Sequence, residues 1–436
     1  MIQENRPYPT RFIAVCALIV LFILVIGALR ALEQPIFRST AANSRNSEML
    51  PDSVIRRDEI NRKRWPEGFQ LHRYWWIGGA AVYIAEMDRT AENLQFNVEL
   101  ANNQILGRET ISNATRRLMR KKILPLAGVN GSFGIREDSY GRGGMTFNLH
   151  IQNGELISIP ISLDRWGYSP PSPWGETSFG VTPEGEFLLE RVQLNGQLRI
   201  DNDILPVNAI NQICSSSCPV VLFTPRFGRR TLTRRAYEFT LKKLTLPLTG
   251  KYASGFVVTA VNHRGNSTIP SDGVVLAIEP HLARNWTKKI ATSTKGTLEI
   301  ALTPTKWQRV QHGVGGNLRL VRNGRIEPEL VRFGETRGRS GAAHRNGASR
   351  HPRSALGFND DKLFLIAIDG RQHGYSMGMT LYDMGKFFSE LGIQHAINFD
   401  GGSSSTLWAL GDVVNSPAHG YERRIFNVAM IRAKKR

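Results

Sequence analysis

The chain has 436 residues, more than one minimal core needs and enough for one large domain or two modest ones. A hydrophobic share of 41% and a charged share of 21% exclude a wholly disordered chain, and 41 glycines predict many turns and a sheet-rich fold. The net charge of +19 predicts attraction to polyanions, whether nucleic acid, anionic lipid or phosphate-bearing polymer, without choosing among them.

In chain order, residues 1–11 form a short tail. From Phe12 to Leu29 runs "FIAVCALIVLFILVIGAL", which reaches spanning length without a charge, so residues 12–32 are expected to be a transmembrane anchor. A cleaved signal peptide is the competing reading. Arg30 follows the run directly and no small-x-small site abuts it, which favours an uncleaved anchor in the inner or plasma membrane. Arg6 and Arg11 precede the run, whereas Arg30, Arg38, Arg45, Arg56 and Arg57 follow it, so the positive-inside count does not itself predict export. Residues 33–69 are polar and basic and read as a juxtamembrane linker or, over 33–65, a short helix, leaving 70–436 as the main domain.

In that domain "AAVYIAEMD" and "LQFNVELA" alternate as strands do, and "ETISNATRRLMRKKI" has the spacing of an amphipathic helix. "FNLHIQNGELISIPIS" predicts a hairpin about Asn153-Gly154. Strands follow at "VVLFTPRFG", "GFVVTAVNHRG", "GVVLAI", "TLEIAL" and "NLRLVRNGRIE". Cys214 and Cys218 in "CSSSC" are placed to form a short disulfide in an oxidising compartment, two free thiols being the alternative; Cys16 lies within the apolar run, and no second pair completes a zinc site. The glycine- and arginine-rich stretch from Gly334 to Arg353 predicts a basic loop.

The last eighty or so residues carry most of the chemistry. "KLFLIAID" is a strand ending in Asp369-Gly370-Arg371; "TLYDMGKFFSELG" is a helix with Thr380 as N-cap, Asp383 in the first turn and Gly392 past its end; "HAINF" is a strand ending in Asp400-Gly401-Gly402. Such a strand-helix-strand unit is expected to be parallel, with both Asp-Gly corners on one sheet edge. The fold class expected is α+β, a mixed-sheet domain with this C-terminal unit, preceded by one transmembrane helix. Gly401 and Gly402 allow a sharp turn and close approach of a ligand, and Ser404 and its neighbours offer donors. An Asp-Gly pair is also an ordinary turn dipeptide, so either corner alone has a plain structural explanation.

Nine stretches together resemble the phosphodiester glycosidase family: "GVNGSFG" (128–134), "VVLFTPRFG" (220–228), "IPSDGVVL" (269–276), "VGGNLRLVRNG" (314–324), "HPRSALGF" (351–358), "AIDGR" (367–371), "SMGMTLYDM" (376–384), "INFDGGSSSTLW" (397–408) and "GYERRIFNVAMI" (420–431). Two departures stand out. The family's Asn-Gly-Gly-Phe-Phe is Asn130-Gly131-Ser132-Phe133-Gly134 here, and the third glycine after the aspartate is Ser403. The resemblance implies hydrolysis of a glycosyl-1-phosphodiester on the sugar side. For that chemistry Asp400, Asp369 and Glu422 are the candidate carboxylates, and Asn130, Arg353, Arg371, Gly401, Gly402 and Ser404 the candidate substrate-binding residues. The plain alternatives are that Arg353 belongs to the basic loop, Arg371 pairs with a surface acid, Asn130 sits in a turn and Glu422 partners Arg423. No cofactor is required by these motifs; the oxygens could hold a divalent cation, though no dedicated ligand motif is present.

The function expected is therefore a membrane-anchored hydrolase whose main domain faces the periplasm or exterior, acting on a sugar-phosphate polymer, glycolipid or exopolysaccharide. The alternative is a non-catalytic polysaccharide-binding or export-accessory protein using the same cleft. Nucleic acid is not an expected partner, since only basicity favours it and no recognition motif is present.

Overall fold

The alternating patterns become strands that pair into four sheets in the computed structural model, which describes residues 50–60, 65–135, 143–160, 177–213, 218–328, 330–331 and 347–434. The tail and anchor expected at 1–32, and most of the basic loop, lie outside the described residues. Among the described residues no helix is long and apolar enough to cross a membrane. The compact unit begins at Leu50, and Val54–Glu59, inside the stretch read as linker, is an edge strand paired with Phe69–Trp76.

The first sheet has eight strands in the order Val54–Glu59, Phe69–Trp76, Ala80–Asp88, Lys362–Ile368, Arg353–Phe358, His395–Asn398, Arg319–Arg322 and Arg325–Ile326, every neighbour antiparallel. Its central strands read as continuous apolar runs because both faces are covered. On one face Ala81, Tyr83, Ala85, Leu363, Leu365 and Ala367 meet Val98, Ala127, Val129, Ala429 and Ile431 of a five-stranded sheet. On the other, Val82, Ile84, Phe364, Ile366 and Ile368 meet Met384, Phe387 and Phe388 of the Leu381–Glu390 helix. The five-stranded sheet runs Asp412–Val413, Leu407–Ala409, Pro125–Asn130, Asn427–Ala433, Leu94–Leu100, and Ile111, Ala114 and Leu118 of the Ile111–Arg120 helix cover its far face. The order of layers is thus helix, sheet, sheet, helix.

A second eight-stranded sheet, containing Gln193–Ile200, Lys251–Asn262, Gly273–Ile278 and Lys295–Thr303, has a core of its own around Leu198, Val258, Leu276 and Leu298. The fourth sheet includes the hairpin His150–Gln152 and Glu155–Ser158, whose turn residues Asn153 and Gly154 have φ of 52° and 78°, the left-handed pair that a tight hairpin demands.

The α+β expectation is corrected: the fold is mostly β, and among the described residues only two helices, of ten residues each, exceed five residues. The C-terminal unit differs as well. Lys362–Ile368 and His395–Asn398 do run in the same direction, but Arg353–Phe358 lies between them and pairs antiparallel with each. The short run "RSALGF" following an arginine-rich tract carries little strand signal of its own; burial on both faces makes it a strand.

Candidate active site

Because Lys362–Ile368 and His395–Asn398 share a direction, Asp369 and Asp400 leave the sheet at one edge. Arg353 opens the antiparallel strand between them, with Arg353 opposite Ile368, so a guanidinium starts where the two carboxylates end. The nearby Ala80–Asp88 strand begins at this edge too, and Asp369 N donates to Ala81 O at 3.0 Å.

Asp369 is buried, and its carboxylate accepts hydrogen bonds from Tyr375 Oη (2.9 Å), Asn415 Nδ2 (2.8 Å) and Ser416 N (3.0 Å). Burial raises its pKa to about 6, although these donors favour the ionised form. Tyr375 Oη also lies 2.9 Å from Tyr83 Oη. Asn415 spans the two corners: its Nδ2 donates to Asp369 and to Ser405 O (3.2 Å), while its Oδ1 accepts from Leu407 N (2.7 Å).

The Asp400 corner is fixed through its backbone. Asp400 N donates to Gly131 O (2.9 Å), and Asp400 O accepts from Asn130 Nδ2 (2.6 Å). Asn130 is buried, and its Oδ1 accepts from Ser354 Oγ (2.7 Å) and Thr406 N (3.1 Å), so the structure places it as a positioning residue under the loop. The glycines have geometric causes. Gly402 has φ of 64°, and its N donates to Pro352 O at 2.8 Å. A Cβ on Gly401 would stand 2.9 Å from Pro352 O, and one on Gly402 would stand 3.1 Å from Arg371 Nη2.

That last contact brings Arg371 to the Asp400 loop. Arg371 Nη2 also lies 3.3 Å from Nδ1 of His351. The pKa of His351 is pushed down to about 4 by partial burial and by Arg353 and Arg371, so the ring is neutral at neutral pH. Arg353 is a buried strand residue, not part of a loop, with Nε donating to Met379 O (3.1 Å) and Nη2 to Ser349 O (2.9 Å). Burial and then Arg371 lower its pKa to about 9. Arg353 is buried and Arg371 exposed at its side, and two guanidiniums that repel each other favour an incoming anion.

Ser404 is buried and its N donates to Gly401 O (3.3 Å), whereas Ser403 Oγ lies 2.8 Å from Nε2 of the exposed His419. Glu422 goes elsewhere: it accepts from Ser112 N (2.9 Å) in the first turn of the Ile111–Arg120 helix, a position that suits an anion. Tyr375, Asn415, Ser416 and His351 escaped the sequence reading, the middle two because "NSP" shows only turn chemistry. Cys218 is disulfide-bonded, while Cys214 lies outside the described residues. Among the described residues no group of three or more His, Cys, Asp or Glu side chains could hold a metal ion.

The chain is similar to a hypothetical protein from Synechocystis (TM-score 0.67, 19% identity, 87% of this chain and 64% of that one). It is also similar to a protein of Burkholderia pseudomallei (TM-score 0.61, 18% identity, 81% of this chain and 74% of that one). At these identities the likeness concerns the fold. The SPbeta prophage-derived uncharacterized protein YomE of Bacillus subtilis is 37% identical over 83 residues, which are 19% of this chain and 13% of that protein. The chain thus spans under two thirds of the Synechocystis protein and a small part of the prophage one. Residues 251–432 match the family model for phosphodiester glycosidase, a segment that includes both aspartate corners, Arg353 and Arg371. The C-terminal part of this chain therefore carries a phosphodiester glycosidase domain.

Proposed function

We propose that the chain is a membrane-anchored hydrolase that cleaves a glycosyl-1-phosphodiester of an envelope glycan, glycolipid or exopolysaccharide, with its main domain in the periplasm or outside the cell. The observation that carries this reading is the convergence of Asp369, Asp400, Arg353 and Arg371 on one sheet edge within a phosphodiester glycosidase domain. Phosphate is already a good leaving group. The demand falls on holding it, which suits arginine, and on stabilising the cationic sugar, which suits carboxylates. In the reaction the C1–O bond breaks, its electron pair leaves with the phosphomonoester, and the oxygen of water bonds to C1. The proton lost by that water passes to a carboxylate or to solvent. The bonded state of Cys218 supports an oxidising compartment, and the apolar run from Phe12 to Leu29 supports the anchor.

The test is incubation of the purified protein with a nucleotide sugar and a sugar-phosphate polymer, reading free sugar and phosphomonoester together. Release of both supports hydrolysis. Retention of the intact compounds with saturable binding would instead assign the cleft to a non-catalytic binding protein.

A further inference from the structure

The sheet edge that carries the aspartates also carries an apolar tip. Ile77, in the turn between Phe69–Trp76 and Ala80–Asp88, is 65% exposed; Ile55 on the edge strand is 67% exposed and Met377 45%. Backbone contacts make them neighbours. Ile77 N donates to Ser53 O (2.9 Å), Val54 pairs with Trp76, and Met377 N donates to Gly79 O (3.1 Å). The tip adjoins the candidate site, because Ser376, next to Met377, donates from Oγ to Asp369 O at 2.7 Å. Arginines surround it. The Arg350 guanidinium lies 5.5 Å from the Trp76 ring and donates to Gly378 O (2.9 Å), and the exposed Arg56 lies 5.4 Å from the Trp75 ring and pairs with Asp58 at 2.9 Å. Exposed aliphatic side chains beside tryptophan and arginine suit the boundary between water and lipid, where rings and guanidiniums meet headgroups while aliphatic groups enter the acyl region.

The occupant is indicated by where the chain enters. Leu50, the first residue of the compact unit, is 39% exposed and stands three residues before Ser53. The apolar run ends at Leu29, and the residues from Arg30 to Met49 can span at most roughly 70 Å. A bilayer holding that run is therefore within reach of the tip, and the net charge of +19 complements an anionic one.

We propose that this tip docks on an anionic lipid bilayer, and that the site beside it takes glycosyl phosphodiesters whose aglycone is a lipid of that bilayer. The substrate part rests on the hydrolase reading above; the docking does not. The test uses the full chain reconstituted into phosphatidylglycerol vesicles. Residues 1–49 contain no tryptophan, so quenching of tryptophan emission by brominated lipid reports on the chain beyond the apolar run and not on the run itself. Quenching is expected in the wild type, falling at least twofold in Trp76→Phe and in the Ile77→Asp/Met377→Asp double variant. In the same vesicles the double variant should cleave a polyprenyl-phosphate sugar about tenfold more slowly, since two aliphatic groups that enter the acyl region are lost. Its hydrolysis of a water-soluble nucleotide sugar should stay within about twofold of wild type, since neither replaced side chain is among the candidate site residues. Absent quenching, or quenching unchanged in the variants, overturns the docking. So does a detergent-solubilised dimer that the double variant dissociates, which would give the tip to a second copy of the chain. Equal loss on both substrates overturns the lipid-substrate assignment. If the wild type cleaves neither compound the hydrolase reading fails, while the quenching still decides the docking.

Discussion

Asp400 sits on backbone pinned from below by Asn130 and Gly131, so removing its charge leaves the loop's supports in place. Asp400→Asn is expected to lower turnover by about 10²- to 10⁴-fold with an unchanged circular dichroism spectrum. Activity within a few-fold of wild type would reduce the corner to an ordinary turn. Asp369 is a different case, because an asparagine there would turn an amide NH2 toward groups that donate. Asp369→Asn should therefore also cost about 1–3 kcal/mol of stability in urea unfolding. With its pKa raised to about 6, the stability Asp369 contributes is fully present below the unfolded value of 3.8 and is lost as pH rises through 6. If its ionised form serves the reaction, kcat/KM should fall on acidification through about pH 6. Tyr375→Phe, which deletes one donor to the carboxylate, should move that limb upward. At this scale the sequence exposed Asp369, Asp400, Arg353 and Arg371 because each lies in a motif. It hid Tyr375 and Asn415, whose partners are respectively 6 and 46 positions away from them at Asp369.

The elements that aim these residues depend on local chemistry that can be tested separately. Thr380 accepts from Asp383 N (3.0 Å) and Asp383 Oδ2 accepts from Thr380 N (3.4 Å), a reciprocal cap, and Gly392 just past the helix has φ of 75°. Thr380→Ala should cost about 1 kcal/mol of stability, read from the urea midpoint, with catalysis little altered. Gly402→Ala should lower stability and catalysis together. A left-handed residue with a Cβ costs roughly 1–2 kcal/mol, and the new atom crowds Arg371, so kcat/KM is expected to fall about tenfold when one charged contact to phosphate is disturbed. Elements with strong punctuation were legible: the Asn153-Gly154 hairpin, the capped helix and the apolar strands. Arg353–Phe358 was not, since its partners on both sides lie later in the chain and only pairing defines it.

Across the whole molecule, two histidines lie where the sheets meet, His150 fully buried and His312 partly so. His150 accepts from Asn427 Nδ2 (3.1 Å) and its Nε2 lies 3.3 Å from Gln152 Oε1; His312 Nε2 lies 2.8 Å from the Asn97 amide. Burial lowers the pKa of His150 to about 3 and that of His312 to about 4. Groups with depressed folded values contribute stability above the unfolded pKa of 6.5 and lose it as pH falls toward the folded one. Each should add a slope of about 1.4 kcal/mol per pH unit to the loss of stability between about pH 6 and pH 4. A His150→Gln variant, measured by thermal unfolding across that window, should show a shallower slope than the wild type.

The sequence by itself determined the strands with apolar alternation, the helix with its cap, the glycine turns and the two Asp-Gly corners, because each depends on a few consecutive residues. It also carried the resemblance to phosphodiester glycosidases, through short motifs kept in order. It misjudged the fold class, because neighbouring strands in these sheets come from distant parts of the chain: Ala80–Asp88 pairs with Lys362–Ile368, and Pro125–Asn130 lies between Leu407–Ala409 and Asn427–Ala433. Only the tertiary structure decided that Asn130 supports Asp400 while Glu422 caps a helix. It alone decided, too, that Arg353 is buried beside Arg371. Burial, and the partners a side chain finds there, belong to contacts that no local pattern specifies.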